Sequence, residues 1–165
     1  MKRFLLCVML LGLLVSPANA MLAKYWRLRI LWDGDQTLTY ADGARVVTRC
    51  VPWKIASGNL SYGTTITDST DYLNTGETLA DDGETEGGVN DNTSDLYWGV
   101  KGQLAIICDV TSSDGTFYLY IEESDTDGTW PSDAADFAIT DLRLVCAMAV
   151  STDAEDEERI KNFEF

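Results

Sequence analysis

Short segments in which apolar and polar residues alternate recur along this chain, and the alternation predicts β-strands with one buried face. The clearest segments are "YWRLRILW", "ARVVTRCVPW", "LYWGVKGQLAIICDV", "TFYLYIEES" and "ITDLRLVCAMAV". Successive side chains of a strand point to opposite faces, so one side of each segment is predicted to face a core. The predicted core positions include Trp26, Leu28, Ile30, Trp32, Trp98, Val100, Leu104, Ile106, Cys108, Val110, Phe117, Leu119 and Ile121. In the last segment the row Leu142, Leu144, Cys146, Met148 and Val150 alternates with Arg143, Val145, Ala147 and Ala149, and because both rows are largely apolar the sequence leaves open which of them faces the core.

Clusters of Gly, Asp, Asn and Ser separate these segments, as turns require. We expect a hairpin at Asp42-Gly43, between "QTLTYA" and "ARVVTRCVPW", and a tight turn at Asp114-Gly115. The apolar end "NFEF" is suited to an edge strand. About eight short strands without helical periodicity predict an all-β protein, a single antiparallel β-sandwich or jelly-roll-like domain over residues 21–165.

Between Lys54 and Asp95 the alternation weakens, and Gly, Ser, Thr, Asn and Asp dominate. Long irregular segments inside a compact domain are functional, mobile or made of short strands. We expect short strands at 64–67 and 72–74, followed by a flexible loop near residues 80–93.

The first 20 residues, "MKRFLLCVMLLGLLVSPANA", have the parts of a secretory signal peptide: a basic start, an apolar run and a small-residue cleavage site ending at Ala20. The apolar run is shorter than the ~20 residues of a membrane-spanning helix. We therefore expect no membrane span. Cleavage at Ala20 would give a secreted or periplasmic chain, which is one of two alternatives for its location. Met21 offers a second start, in which case residues 1–20 are a mis-assigned leader.

Composition excludes several function classes. With 12 Lys and Arg against 27 Asp and Glu, the net charge of −15 repels nucleic acid and anionic membranes. The chain has no His, which removes imidazole bases, His-dependent nucleophiles and His metal sites. Cys50, Cys108 and Cys146 are widely spaced, so buried thiols are favoured over metal binding or thiol exchange. Cleavage at Ala20 would remove Cys7, and the remaining three cysteines allow at most one internal disulfide.

The segment at residues 122–137, "EESDTDGTWPSDAADF", contains the candidate ion ligands. Asp125, Asp127 and Asp133 are candidate calcium ligands, because alternating carboxylates before a Gly can gather oxygen ligands. Gly128 comes too early for the complete calcium frame. A surface turn therefore explains the pattern better, and we expect no cofactor other than this calcium candidate.

The same segment offers two further kinds of site. Trp130 and Pro131 are candidates for a ligand or partner surface, since a Trp among carboxylates can stack on a sugar; packing inside the protein is the favoured alternative. Glu122 and Glu123 are neighbours on a strand and face opposite ways, so they cannot act together as a glycosidase pair. We expect no catalytic residues and no enzyme activity.

Several segments of the second half share a recognisable pattern of strands and turns: "LYWGVKG", "DGT-YLYIE-S-TDG-WPSD", "DLRLV", "NFEF" and the central "SGNLSYGTTITDSTDYLNTGE". Over roughly residues 55–165 this pattern resembles small structural proteins encoded in tailed-bacteriophage genomes. The resemblance implies a virion-associated β protein, a decoration or tail component, without catalysis, and it carries no site residues. The signal-like start departs from it, because phage particles assemble in the cytoplasm.

We therefore expect a non-enzymatic structural component of a tailed phage virion that binds other virion proteins and forms a homo-oligomer. The alternative is a secreted bacterial carbohydrate-binding β-sandwich module that uses Trp130 and nearby acids. An extracellular hydrolase working with carboxylates is a third hypothesis, and no motif marks its residues.

Overall fold

The computed structural model describes residues 21–39, 45–68, 72, 78–107, 114–139, 142–150 and 158–165. These residues form an all-β protein without an α-helix, and a short 3-10 turn spans Pro131–Asp133. The strands are β1 Tyr25–Gly34, β2 Leu38–Thr39, β3 Arg45–Ala56, β4 Asn59–Tyr62, β5 Ile66–Asp68, β6 Thr78–Leu79, β7 Gly83–Glu86, β8 Asn90–Asp91, β9 Gly99–Ile107, β10 Gly115–Ser124, β11 Arg143–Val150 and β12 Glu158–Glu164.

Two antiparallel five-stranded sheets pack against each other, as in a β-sandwich. Sheet I has the strand order β11-β10-β1-β7, with β8 also paired to β1. Sheet II has the order β12-β9-β3-β4, with β5 also paired to β3, and β2 pairs separately with β6. The predicted fold class is confirmed as an antiparallel β-sandwich, while the jelly-roll order stays a prediction.

The hydrophobic core lies between the two sheets. Strands β1 and β10 pair over their whole length, from Tyr25 opposite Ser124 to Gly34 opposite Gly115. Fully burying one large apolar side chain contributes roughly 1.5–3 kcal/mol, and a slip of one residue would turn a whole row to solvent. The core rows therefore fix the register; they comprise Trp26, Leu28, Ile30, Trp32, Phe117, Leu119, Ile121, Met148 and Val150 from sheet I and Val46, Cys50, Val100, Leu104, Ile106 and Phe163 from sheet II.

Glycine is required where β1 and β10 end together. The indole of Trp32 lies across the backbone there and stacks against Phe117 with ring centroids 4.5 Å apart. A Cβ on Gly34 would lie 2.0 Å from this indole, and one on Gly115 would lie 2.5 Å from it. Both distances are far below van der Waals contact, so a larger residue at either position would displace the Trp32 ring.

A β-bulge in β11 decides which residues of this strand face the core. Cys146 lies opposite Leu119, but the next residue of β10, Tyr120, pairs with Leu144, so Val145 has no partner across the ladder. An extra residue reverses the alternation beyond it. Leu144 is consequently exposed although Met148 and Val150 of the same alternating row are buried, so neither row of this segment faces the core along its whole length.

Both predicted turns join strands that are not neighbours. Strand β2 pairs with β6 rather than β3, and β9 and β10 belong to different sheets, so the chain crosses between the sheets before Gly115. Residues 40–44, which contain the Asp42-Gly43 turn, lie outside the described residues, and so do residues 108–113 before Asp114, with the predicted core positions Cys108 and Val110. A two-residue hairpin instead joins β3 to β4 at Ser57-Gly58, whose positive φ values of 52° and 78° are those of a type I′ turn.

The weakly patterned middle of the chain contains more strand than expected. Strand β5 overlaps the predicted strand at 64–67, whereas Tyr72 lies in a turn and residues 73–74 lie outside the described part. Within the segment 80–93, predicted as a loop, β7 and β8 pair with β1. The alternation of apolar and polar residues does not reveal β7 and β8, because both strands are short and polar. The expected edge strand at the carboxyl end forms as β12, which pairs with β9.

Candidate functional site

The acidic segment after β10 is attached to the outer face of sheet I by Glu122. This residue lies directly opposite Arg27 on β1, and its side chain is 0% exposed. One carboxylate oxygen, Oε1, accepts the backbone N–H of Ser132 at 2.8 Å. The other, Oε2, lies 2.6 Å from the Nε of Arg27. Glu122 thus ties the segment to the strand beneath it.

Arg27 connects three parts of the chain. Besides Glu122, its Nη1 lies 2.7 Å from Glu86 Oε1 on β7, and its Nη2 donates to Ser132 Oγ at 3.0 Å. Its guanidinium also lies 4.3 Å from the centroid of the Trp130 ring. A buried guanidinium needs partners of this kind, because an unpaired buried charge is strongly destabilising.

Arg29 extends the same network along β1. Its Nη1 lies 2.7 Å from Glu86 Oε2 and 3.5 Å from Glu122 Oε2, and its Nη2 lies 3.1 Å from Glu84 Oε2. Its Nε is buried without a hydrogen-bond partner. We call Arg27, Arg29, Glu84, Glu86 and Glu122 the ion cluster.

Glu122 remains ionised within the ion cluster. Burial alone would raise its pKa, but the hydrogen bonds from Ser132 and Arg27 and the charge of Arg27 together lower the pKa below its usual value. The carboxylate is buried and hydrogen-bonded at both oxygens. Its chemistry is therefore that of a structural anchor, with neither oxygen free to meet a substrate.

Trp130, the candidate sugar-stacking residue, lies inside this arrangement. It is only 7% exposed, and one of its ring faces is covered by Arg27. Its backbone N–H donates to Asp133 Oδ2 at 2.8 Å, and Asp133 N–H donates back to the Trp130 carbonyl at 3.0 Å. Pro131 is exposed. The ring packs on the protein, so little of its surface is available for stacking on a sugar, as the glycan hypothesis requires.

The three candidate calcium ligands are not gathered into one group. Asp133 fixes the turn at Trp130, while Asp125 and Asp127 are exposed. Among the described residues, the group of acids whose oxygens lie within 4.8 Å of one another is Asp33, Asp81 and Asp82, all exposed. Exposed carboxylates of this kind are common without a bound ion, and Asp81 already accepts the N–H of Gly34 at 3.1 Å.

The described cysteines are free thiols. Burial raises the pKa of Cys50 to about 12, with a further increase from the charge of Asp68. Burial raises the pKa of Cys146 to about 11, against a small opposing effect of Lys161. Both thiols are protonated at neutral pH and therefore poor nucleophiles and metal ligands. Cys108 lies outside the described residues.

The outer face of sheet II carries four of the large apolar side chains that are exposed among the described residues. Ile55, Leu60, Tyr62 and Ile160 are 46%, 55%, 48% and 53% exposed. Two shallow cavities, of about 430 and about 200 Å³, lie side by side on it and share Arg49 and Gln103 in their walls. We call this surface the sheet II face; its residues are Val47, Arg49, Val51, Trp53, Ile55, Leu60, Tyr62, Lys101, Gln103, Ala105, Ile160, Asn162 and Glu164.

Sequence reasoning identified Trp130 and the opposed directions of Glu122 and Glu123, but it missed the cations of the ion cluster. A signal was present. The arginines of "YWRLRILW" occupy alternate positions, and so do the glutamates of "GETE". Two strands that each carry like charges on one face are a natural cross-strand pair.

No helix among the described residues is long and apolar enough to cross a membrane. Compared with known proteins, the chain matches no family model, no curated protein sequence and no solved structure.

Proposed function

We propose that this protein is a non-enzymatic structural component of a tailed-phage virion, a decoration or tail-associated protein. It acts through protein–protein surfaces and binds other virion proteins and copies of itself. The resemblance of residues 55–165 to structural proteins of tailed phages supports this proposal.

The observation that carries the proposal is the sheet II face. Ile55, Leu60 and Tyr62, each close to half exposed, lie together at one end of this face, and Ile160 lies toward its other end, opposite Ala105. Scattered exposed apolar residues need no explanation, but an apolar patch on a rigid surface marks an interaction site.

The ionisable groups of the described interior support a structural role. Glu122 and Arg27 hold a segment onto sheet I, and Cys50 carries a thiol of raised pKa. Glu122 and Arg27 form ion pairs and hydrogen bonds inside the protein, and the Cys50 thiol packs in the core. A protein of this kind supplies binding surfaces and a stable framework.

Mass spectrometry of purified phage particles tests the proposal. The protein should be present at a defined copy number per particle, with Met21 as its first residue. Recovery of the chain only from periplasm or medium, cut after Ala20, would contradict it. Retention on a glycan array, lost in Trp130→Ala while the variant remains folded, would favour the carbohydrate-binding alternative instead.

A further inference from the structure

The segment that joins β10 to β11 is buried in part, but separately from the core. We call residues 125–139 the strap. Trp130 and Ile139 of the strap are only 7% and 6% exposed, yet neither belongs to the cluster of buried residues between the two sheets. Tyr120, two residues before Glu122 on the same face of β10, is also buried outside that cluster. The packing of the strap therefore adds to the sandwich without being part of its core.

Contacts with the ion cluster attach the strap to sheet I. The N–H of Ser132 donates to Glu122 Oε1 at 2.8 Å, and Ser132 Oγ accepts from Arg27 Nη2 at 3.0 Å. The Arg27 guanidinium also lies 4.3 Å from the centroid of the Trp130 ring. Glu122 holds this guanidinium in place, with Oε2 at 2.6 Å from Arg27 Nε. The contacts of Ser132 and Trp130 with β1 and β10 thus depend on one ion pair.

The strap can leave sheet I without unpairing a strand. Strands β10 and β11 are neighbours in the sheet and pair as far as Ile121 opposite Arg143, and the strap joins their adjacent ends. Backbone hydrogen bonds within the strap, such as that from the N–H of Phe137 to the carbonyl of Ala134, hold its own turns. A segment with its own local structure and few ties to the rest of a protein opens at a lower free energy than global unfolding requires.

Glu122 is the titratable group on which this attachment depends. Among the described residues, the charged and titratable groups around it are Arg27 and Arg29 from β1, Glu84 and Glu86 from β7, Tyr120 from β10 and Asp133 from the strap. Arg143 of β11 is directed to Glu123 instead, at 3.3 Å. Burial opposes the charge of Glu122, but the bonds from Ser132 and Arg27 hold its pKa below the usual 4.5. Its contribution to attachment is therefore complete above 4.5 and is lost as the pH falls through the folded pKa.

We propose that the strap is an acid-sensitive device: when Glu122 takes up a proton, the strap leaves the outer face of sheet I while both sheets remain paired. A neutral carboxyl no longer balances the charge of Arg27, which keeps Glu86 as its partner at 2.7 Å. Release of the strap makes Arg27, Glu122 and Trp130 accessible, all of which are now buried. This inference concerns sheet I alone and does not depend on the proposed virion role.

Hydrogen exchange followed by mass spectrometry tests the inference on the full chain. Protection is measured between about pH 7 and about pH 3, with each rate corrected for the intrinsic effect of pH on exchange. Peptides from the strap should lose protection in acid, by about tenfold for each pH unit between the usual and the lowered pKa of Glu122. Peptides from β1 and β10 should stay protected at the pH where the strap is already open.

Two variants separate Glu122 from the other carboxylates, which also take up protons in acid. In Glu122→Gln the strap should be unprotected already at about pH 7, and its exchange should no longer respond to acid. Glu123→Gln is the matched control, because it removes the same charge from the neighbouring residue, which pairs with Arg143. Its strap should be protected at neutral pH and released in acid, as in the wild type.

Three results would overturn the inference: a strap that stays protected in acid, a strap and strands that lose protection at the same pH, or wild-type protection of the strap in Glu122→Gln. Circular dichroism establishes that each variant is folded. If Glu122→Gln does not fold, Trp130→Ala takes its place, since it removes the ring that Arg27 covers and leaves Glu122 intact. Its strap should exchange faster than that of the wild type at neutral pH while β1 and β10 stay protected, and an unchanged strap would again contradict the inference.

Discussion

Glu122→Gln tests whether the ion cluster stabilises the fold. The substitution keeps the size of the side chain but removes its charge, and it turns an NH₂ group toward one of the two donors, Arg27 Nε or Ser132 N–H. Breaking a buried ion pair costs about 3–5 kcal/mol, because it leaves the other charge buried without its partner. Arg27 keeps its contact with Glu86 at 2.7 Å, so we expect the lower limit, about 3 kcal/mol.

Urea unfolding followed by tryptophan fluorescence measures this loss, since Trp26 and Trp32 lie in the core. With an m-value of about 1.5 kcal/mol/M, the unfolding midpoint should fall by about 2 M urea. Glu123→Gln is the matched control. Its pair with Arg143, at 3.3 Å, joins side chains that are 30% and 51% exposed, so its loss should cost less than about 1 kcal/mol. Equal losses for the two variants, or a loss below about 1 kcal/mol for Glu122→Gln, would refute the anchoring role of the cluster.

Further predictions concern pH, thiol reactivity and the bulge. Because the folded pKa of Glu122 is lowered from 4.5, its contribution should be complete above that value and disappear as the pH falls through the folded pKa, so wild type and Glu122→Gln should converge in stability in acid titrations. Cys50, with its pKa raised to about 12, should react with iodoacetamide at pH 8 only in denaturant, as peptide mapping would show; prompt labelling of the native protein would contradict its burial. Met148→Ser should destabilise the protein by about 2–5 kcal/mol and Leu144→Ser by less than about 0.5 kcal/mol, and the reverse order in thermal unfolding would show that the bulge is wrongly placed.

The core faces of the long strands could be predicted because every second residue of a half-buried strand is apolar. Trp26, Leu28 and Ile30 are buried as expected, and so are Phe117 and Leu119. The same rule failed beyond Val145, since a bulge adds one residue without leaving any mark on composition. Alternation identifies a strand but not an irregularity within it.

Strand partners could not be predicted, because the alternation of apolar and polar residues within one strand does not indicate which strand pairs with it. Asp42-Gly43 and Asp114-Gly115 are good turn sequences, yet the strands that flank them belong to different ladders or sheets. The turn that does close a described hairpin, Ser57-Gly58, carries an ordinary turn signal in a weakly patterned region.

The candidate site was predictable only in part. Alternation separated Glu122 from Glu123 correctly, because it depends on the strand alone. The contact of Arg27 with Glu122 joins residues 95 positions apart, and that of Arg29 with Glu84 joins residues 55 apart. Contacts over such distances depend on the sheet order, which one sequence does not reveal.

The position of β1 in sheet I has a consequence for how the chain reaches its folded state. This strand is made first among those described, but its full-length neighbour, β10, ends only at Ser124. Until then only the short strands β7 and β8 can pair with it, on its other edge, and its apolar row, with Trp26 and Trp32, lacks its full-length neighbour. Distant pairings form slowly, and exposed apolar strands favour aggregation. Chains interrupted before residue 115 should therefore be unable to complete sheet I, so that assembly of this sheet follows synthesis rather than accompanying it.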